Sequence, residues 1–245
     1  NYLGDAHGSA WTWYTNQSIQ EGIDTASAGD VVQVTAGTYR ESLGGYRDLE
    51  LFKSLSLIGA GSGQTVVELS NLGNGLEVRG TNATTLIQGI TFTKRPENPY
   101  SAGFAIRVAE VTSSFASLVF RDIEVAYASG RNMFLENPGT YDNLLLEDCN
   151  LHHAGSWCLT LRGTIGQATL QDCQCEYNGT VDPSHGIGLD FEAPNVVTGV
   201  DVLGGSYSYN TAKGINLVKS SKVHVSGIVA SHNAGPAIIL SFLLA

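Results

Sequence analysis

The sequence predicts an all-β chain wound into a single right-handed parallel β-helix, a solenoid of roughly eight coils with a short N-terminal capping helix. Three observations carry this. Short alternating strands recur at a nearly constant step: Cys149 and Cys173 are 24 residues apart, and Gly204 and Gly227 are 23 apart. Each strand is followed by a second short apolar run rather than by a helical stretch. Columns also align across repeats, with Ile90, Ile123, Cys149, Cys173, Gly205 and Ile228 in one and Phe92, Val125, Leu151, Cys175, Tyr207 and Ala230 in another.

The elements follow in order along residues 1–245, read as one domain. Residues 18–27, "SIQEGIDTAS", place Ile19, Ile23 and Ala26 at helical spacing behind a Ser18/Glu21 capping box. A helix there covers the open first coil, as a solenoid end requires. "GDVVQVTAGTYRESL" (29–43) and "SLSLIGAGSGQTVVEL" (54–69) read as strand, turn and strand. "TTLIQGITFTKR" (84–95), "SLVFRDIEVAYA" (117–128), "NLLLEDCNLHHA" (143–154), "ATLQDCQCEYN" (168–178), "DVLGGSYSYN" (201–210) and "VHVSGIVASHN" (223–233) then repeat the pattern. Their partner runs are "GFAIRV", "NMFLE", "WCLTLR", "GIGLDF", "GINLV" and "PAIIL". Coils stacked at the strand spacing of about 4.8 Å give a rod on the order of 40 Å long. The apolar end "GPAIILSFLLA" predicts an open last coil that continues into a longer rod or associates with another copy.

Parity assigns the columns. The four cysteines lie at 149, 158, 173 and 175 without zinc-site spacing, so Cys149, Cys173 and Cys175 read as small core residues. Whether Cys149 and Cys173 form a disulfide is open at this level. Asn178, Asn210 and Asn233 align as an amide ladder at a corner and are expected to supply its left-handed backbone. Beside them Tyr127, His153, Tyr177, Tyr209 and His232 form an aromatic column, either a stack along the corner or a strip for stacking sugars.

With 13 basic and 23 acidic residues the net charge is −10, which argues against nucleic acid or an anionic membrane as partner. No signal-peptide or transmembrane run is read within residues 1–245, and an extracellular or cell-surface location is expected. An acidic polysaccharide would require a local basic patch. One outer face gathers such groups. In "DPSHGIGLDFE" (182–192), Ile187, Leu189 and Phe191 point inward, leaving Gly188, Asp190 and Glu192 outward. Thr160, Glu136 and Arg107 are expected in the Asp190 column and Arg162 beside Glu192, with Gly188 leaving room for a ligand. Asp182, His185, His152, His153 and Tyr177 lie at the same edge.

Two chemistries suit this set. Proton abstraction at C-5 of a uronate needs a cation on the carboxylate, from Arg162 or Arg107, and a base, from His185 or His153. Tyr177 would handle the other proton. Glu136, Glu192 and His152 would complete the substrate contacts. The alternative is glycoside hydrolysis by paired carboxylates, Asp190 with Glu136 two coils away, at roughly 9–10 Å against the inverting range of about 6.5–9.5 Å. No cofactor is required by either, although Ca²⁺ on Asp182, Glu136, Asp190 and Glu192 would be compatible with lyase chemistry. A non-catalytic reading, a carbohydrate-binding, adhesin or tail-spike β-helix, also fits.

The opening, a helix ending in Ala-Gly-Asp before an apolar strand and Ala-Gly-Thr-Tyr, resembles right-handed β-helix proteins of the pectate-lyase-like superfamily. The order Tyr177…Asp182-Pro183-Ser184-His185 resembles the Tyr-Gly-x-Asp-Pro-His-Glu motif of mannuronan C-5 epimerases. Ser184 splits Pro from His, and the closing Glu is missing. The resemblance implies a β-helix whose Tyr, Asp and His act on alginate.

Overall fold

A computed structural model describes residues 3–7, 10–14, 18–41, 43, 46–70, 73–79, 81–101, 103–108, 114–136, 140–191 and 196–242. It is a right-handed parallel β-helix of about seven turns, in line with the sequence reading. Each coil contributes to three faces. The fifth coil is representative: Thr140–Glu147 lies on the first face, Asn150–His152 on the second and Leu159–Leu161 on the third. Each pairs in parallel and in register with the equivalent strand one coil on, Leu144 with Ala168, Leu151 with Cys175 and Leu159 with Leu189. The first and third faces merge where Ile215–Ser226 runs from one to the other as one 12-residue strand.

The helix spans Ile19–Thr25, and Ser18 accepts at its N-terminus from Glu21 N. Glu41 completes the cap: its carboxylate takes Ile19 N and Ser18 Oγ at 2.7 Å each. Ile19 and Ile23 join the core and so cover the first coil. The sequence did not signal a hairpin of Leu3–His7 and Ala10–Tyr14, whose first strand pairs antiparallel to Val31–Val34.

The inward columns are as expected. Phe92, Val125, Leu151, Cys175 and Tyr207 are fully buried in one stack, and Ile90, Ile123, Cys149 and Cys173 in the other. All four cysteines are free and buried, so the Cys149–Cys173 pair is not bonded. Burial and the neighbouring Cys173 thiol raise the Cys149 thiol far above its ordinary value, the shared hydrogen bond contributing most. Thiolate is the reactive form. The native protein should therefore be inert to an aromatic disulfide reagent, and denaturant should release four titratable thiols; reaction in the folded state would contradict this burial.

The corners differ from expectation in one respect. Asn178, Asn210 and Asn233 do form a ladder: Asn178 Oδ1 accepts from Ala154 N at 2.9 Å, Asn210 Oδ1 from Asn178 Nδ2 at 2.8 Å, and Asn233 Oδ1 from Asn210 N at 2.9 Å. The left-handed backbone belongs instead to the preceding aromatic column, with φ of 63° at Tyr127, 55° at His153, 56° at Tyr177, 59° at Tyr209 and 55° at His232. A non-glycine residue there costs roughly 1–2 kcal/mol. Ring stacking and the amide ladder beside it offset that cost. The other corner is turned by Gly89, Asp122, Asp148, Asp172, Gly204 and Gly227 at positive φ.

Candidate functional site

The third face carries the candidate site, and its register revises two expectations. Arg107 pairs with Phe134, Phe134 with Thr160, and Thr160 with Asp190. Phe134, not Glu136, therefore stands in the Asp190 column. Counting coil lengths missed the two-residue offset because the loops between strands vary. Gly188 leaves no room for a ligand either: a Cβ there would meet Gly214 O at 2.5 Å and Asn210 Nδ2 at 3.0 Å. The missing side chain is taken up by coil stacking over the ladder.

Asp190 is only 3% exposed, and its carboxylate accepts from Asn216 Nδ2 at 2.6 Å. Glu136 is buried and forms a two-pronged ion pair with Arg107, Nε and Nη2 each at 2.8 Å. Both carboxylates expected to pair for hydrolysis are thus buried and already engaged, Asp190 with Asn216 and Glu136 with Arg107. Glu192 lies outside the described residues.

Beside this column a cleft of about 460 Å³ opens, lined by Phe104, Arg131, Phe134, Ser156, Trp157 and Arg162. Phe104 and Phe134 stack at 5.2 Å. The Arg131 guanidinium lies 4.3 Å from the Phe134 ring and 4.2 Å from the Trp157 ring, and that of Arg162 lies 5.2 Å from Phe134. These contacts hold cations on aromatic faces. Trp157 Nε1 and, in the Asp190 column, Thr160 Oγ1 are buried without a hydrogen-bond partner among the described residues. Arg131 and Arg162 thus give an acidic chain one local concentration of positive charge. Arg131, Phe134 and Trp157 were not singled out in the sequence. The signal available was an Arg or aromatic residue opening successive third-face runs, "RNMFLE" and "WCLTLR".

The turn after Tyr177 brings Asp182 and His185 to this cleft. Val181 N and Asp182 N bond to Gly155 O at 2.9 and 2.8 Å, and Thr211 Oγ1 bonds to Pro183 O at 2.8 Å. Pro183–His185 forms one 3₁₀ turn, capped by Asp182 through Ser184 N at 3.2 Å and Ser184 Oγ at 2.6 Å. Asp182 Oδ2 meets His185 Nδ1 at 2.7 Å. The Ser184 hydroxyl and then His185 hold the Asp182 carboxyl below its usual range. His185 lies against Trp157, ring centroids 4.4 Å apart, with its side chain 48% exposed. An ionised Asp182 fixes the proton on Nδ1 and leaves the lone pair on Nε2.

Tyr177 is not brought to this pair. Its ring stacks between His153 at 5.3 Å and Tyr209 at 4.9 Å, in a ladder that begins with Tyr127 on His153 at 5.0 Å and ends with His232 on Tyr209 at 4.7 Å. Ring faces within the ladder are spent on each other, and the outer face of Tyr127 carries Lys94 Nζ at 5.5 Å. The column is thus a continuous ring stack along the corner, with Tyr177 and Tyr209 partly exposed. His152 hangs beside it, Nδ1 at 2.7 Å from His153 Nδ1 and Nε2 at 3.1 Å from Glu124 Oε1.

His152 and then Thr91, by hydrogen bonds, hold Glu124 below the usual carboxylate range against the opposing effect of burial. Burial, and secondarily His152, holds His153 below the ordinary imidazole value. Both groups bind protons more weakly folded than unfolded, so stability falls as pH falls. The His153 contribution is complete above about pH 6.5 and that of Glu124 above about pH 4.5, and each is lost as pH drops through the folded value. Urea midpoints against pH should decline in two steps, and His153→Gln should remove the upper one.

Among the described residues no group of three or more His, Cys, Asp or Glu is arranged to hold a metal ion. The carboxylates considered for Ca²⁺ are separately engaged: Asp182 on its turn, Glu136 on Arg107, Asp190 on Asn216.

No protein-family model matches the chain, and no curated protein matches it significantly. Two solved structures do. The A-module of Azotobacter vinelandii mannuronan C-5 epimerase AlgE4 superposes with a TM-score of 0.59 at 17% identity, over 90% of this chain and 68% of that one. The AlgE6 A-module of the same organism gives 0.48 at 19% identity, over 91% and 70%. The first likeness establishes the shared β-helix fold.

Proposed function

We propose that this chain is a polysaccharide-active β-helix that removes the C-5 proton of a uronic-acid unit, as a lyase or an epimerase, outside the cytoplasm. The observation that carries the reading is the Asp182–His185 pair set against Trp157 at a cleft lined by Arg131 and Arg162. A C-5 hydrogen becomes acidic enough to transfer only when the adjacent carboxylate is neutralised, and guanidinium groups held on aromatic faces supply that charge. His185 Nε2 takes the proton, with Asp182 stabilising the imidazolium. The electron pair passes into the carboxylate. It then either expels the C-4 oxygen, which takes the proton back from the His185 imidazolium and leaves a C4–C5 double bond, or is quenched at C-5 by a proton from water on the opposite face of the ring, His185 releasing its own proton to solvent. The fold likeness to an alginate epimerase module supports the class of reaction.

The test is to incubate the protein with alginate and pectate in deuterated water. The expected result is new ultraviolet absorbance from unsaturated uronate ends, or deuterium at C-5 without chain cleavage. Neither signal with any uronate polymer would refute the proposal.

A further inference from the structure

A second titratable cluster, on the other side of the 179–186 turn, has no part in the reaction just described. Its hydrogen bonds determine where each proton lies. Thr91 Oγ1 accepts from Gly63 N at 2.8 Å and donates to Glu124 Oε2 at 3.1 Å. Glu124 Oε1 lies 3.1 Å from His152 Nε2. An ionised carboxylate only accepts, so His152 Nε2 carries a proton. The relay is that of neutral His152, which has a single N–H, so that its Nδ1 is an acceptor. It faces His153 Nδ1 at 2.7 Å, which must therefore be the donor. The proton of His153 is thus on Nδ1 and its lone pair on Nε2, where no described residue bonds to it. His153 lines a cavity of about 260 Å³ with Pro99, Tyr100, Tyr127 and Thr180.

We infer that Glu124, His152 and His153 form a polar relay that presents a basic nitrogen to a second sugar subsite, one that selects a hydroxyl-bearing ring rather than a carboxylate. This rests on the polysaccharide reading. A ligand group at His153 Nε2 has to donate a hydrogen bond. A sugar hydroxyl does so, and a uronate carboxylate cannot. Pro99 and Tyr100 provide apolar wall for the C–H face of a pyranose. The division of labour is chemical: guanidinium groups take the carboxylate in the cleft, and an imidazole lone pair takes a hydroxyl here. Glu124 and His152 are positioning residues, acting on the ligand only through the tautomer of His153. Of the other charged groups nearby, Lys94 lies over the Tyr127 ring and donates to Asn98 O at 2.9 Å, and Glu176 takes the Ser206 hydroxyl.

The experiment is nitrogen NMR of the full chain with labelled histidine, titrated with short mannuronate and galacturonate oligomers. Wild type should show His153 as the Nδ1–H tautomer, and oligomer should shift its Nε2. In Glu124→Gln the Thr91 hydroxyl stays on the amide oxygen, so the amide N–H faces His152 Nε2. The pattern then reverses along both rings and turns His153 Nε2 into a donor. Oligomer contact at His153 should weaken about tenfold. A merely structural role for Glu124 would not move the tautomer. An Nε2–H tautomer in wild type, or an unchanged tautomer in Glu124→Gln, overturns the relay. Oligomers that shift His185 and leave His153 unmoved overturn the subsite alone and leave the proposed function standing. Oligomers that shift neither overturn both.

Discussion

His185→Ala should lower the rate of C-5 proton removal by about 10²–10⁴-fold, the usual contribution of a positioned base, with little change in stability. The side chain is 48% exposed and belongs to a surface turn held mainly by backbone bonds to Gly155 and by Thr211. Substitutions at such places typically change stability by no more than about 0.5 kcal/mol. Activity and fold are thus separable at this residue. Asp182→Asn should give a smaller loss in rate, because the neutral amide still accepts from Nδ1 but no longer stabilises the imidazolium. The measurement is initial rate on the responsive uronate polymer, beside a thermal melt. A His185→Ala enzyme that keeps its rate sinks the base assignment.

The largest effect on stability is expected at Asn178. It is fully buried, and its side chain both accepts from Ala154 N and donates to Asn210. Asn178→Ala leaves the buried Ala154 N–H without an acceptor, while Asn210 Oδ1 keeps the Asn178 backbone N–H at 3.2 Å. One unmet group at about 1–3 kcal/mol and one lost hydrogen bond at about 1 kcal/mol give a loss of about 2–4 kcal/mol. Asn233→Ala removes equivalent bonds, to Asn210 N and Tyr207 O, at a partly exposed position where water can replace them. It should cost less. Urea unfolding of the two variants measures the difference, and equal losses would show that burial does not set the strength of the ladder.

Much of this architecture was legible in the sequence because a solenoid writes its register into spacing. Cys149 and Cys173 fall one coil apart in the same column, and Asn178, Asn210 and Asn233 mark one corner. Ser18 marked the helix start. What escaped notice had little or no local signal. Tyr has no special preference for left-handed backbone, so nothing at Tyr127, Tyr177 or Tyr209 announced the turn, and the enrichment of His in that region left only a faint signal at His153 and His232. The cleft joins Phe104, Arg131 and Trp157, which come from three coils with connections of unequal length. Spacing alone therefore put Glu136 where Phe134 stands. His185 and Asp182 were visible as a pair because one short turn holds both. The ring against His185 is Trp157, which the sequence did not single out, while the Tyr177 ring stands in the corner stack.

The hydrogen bonds between coils join residues that are nearly always one turn of chain apart, 24 residues from Ala154 to Asn178 and 23 from Asn210 to Asn233. Each new coil therefore closes a loop of similar size, at an entropic cost that does not grow along the rod. Folding has no distant pairing to wait for. Once two neighbouring coils have docked, the next adds to a finished template, and the chain assembles like a zipper from wherever the first pair forms. Unfolding can likewise proceed by loss of successive coils. The 179–186 turn belongs to the sixth coil and is anchored on its neighbours at Gly155 and Thr211, so it persists only while those coils stay docked.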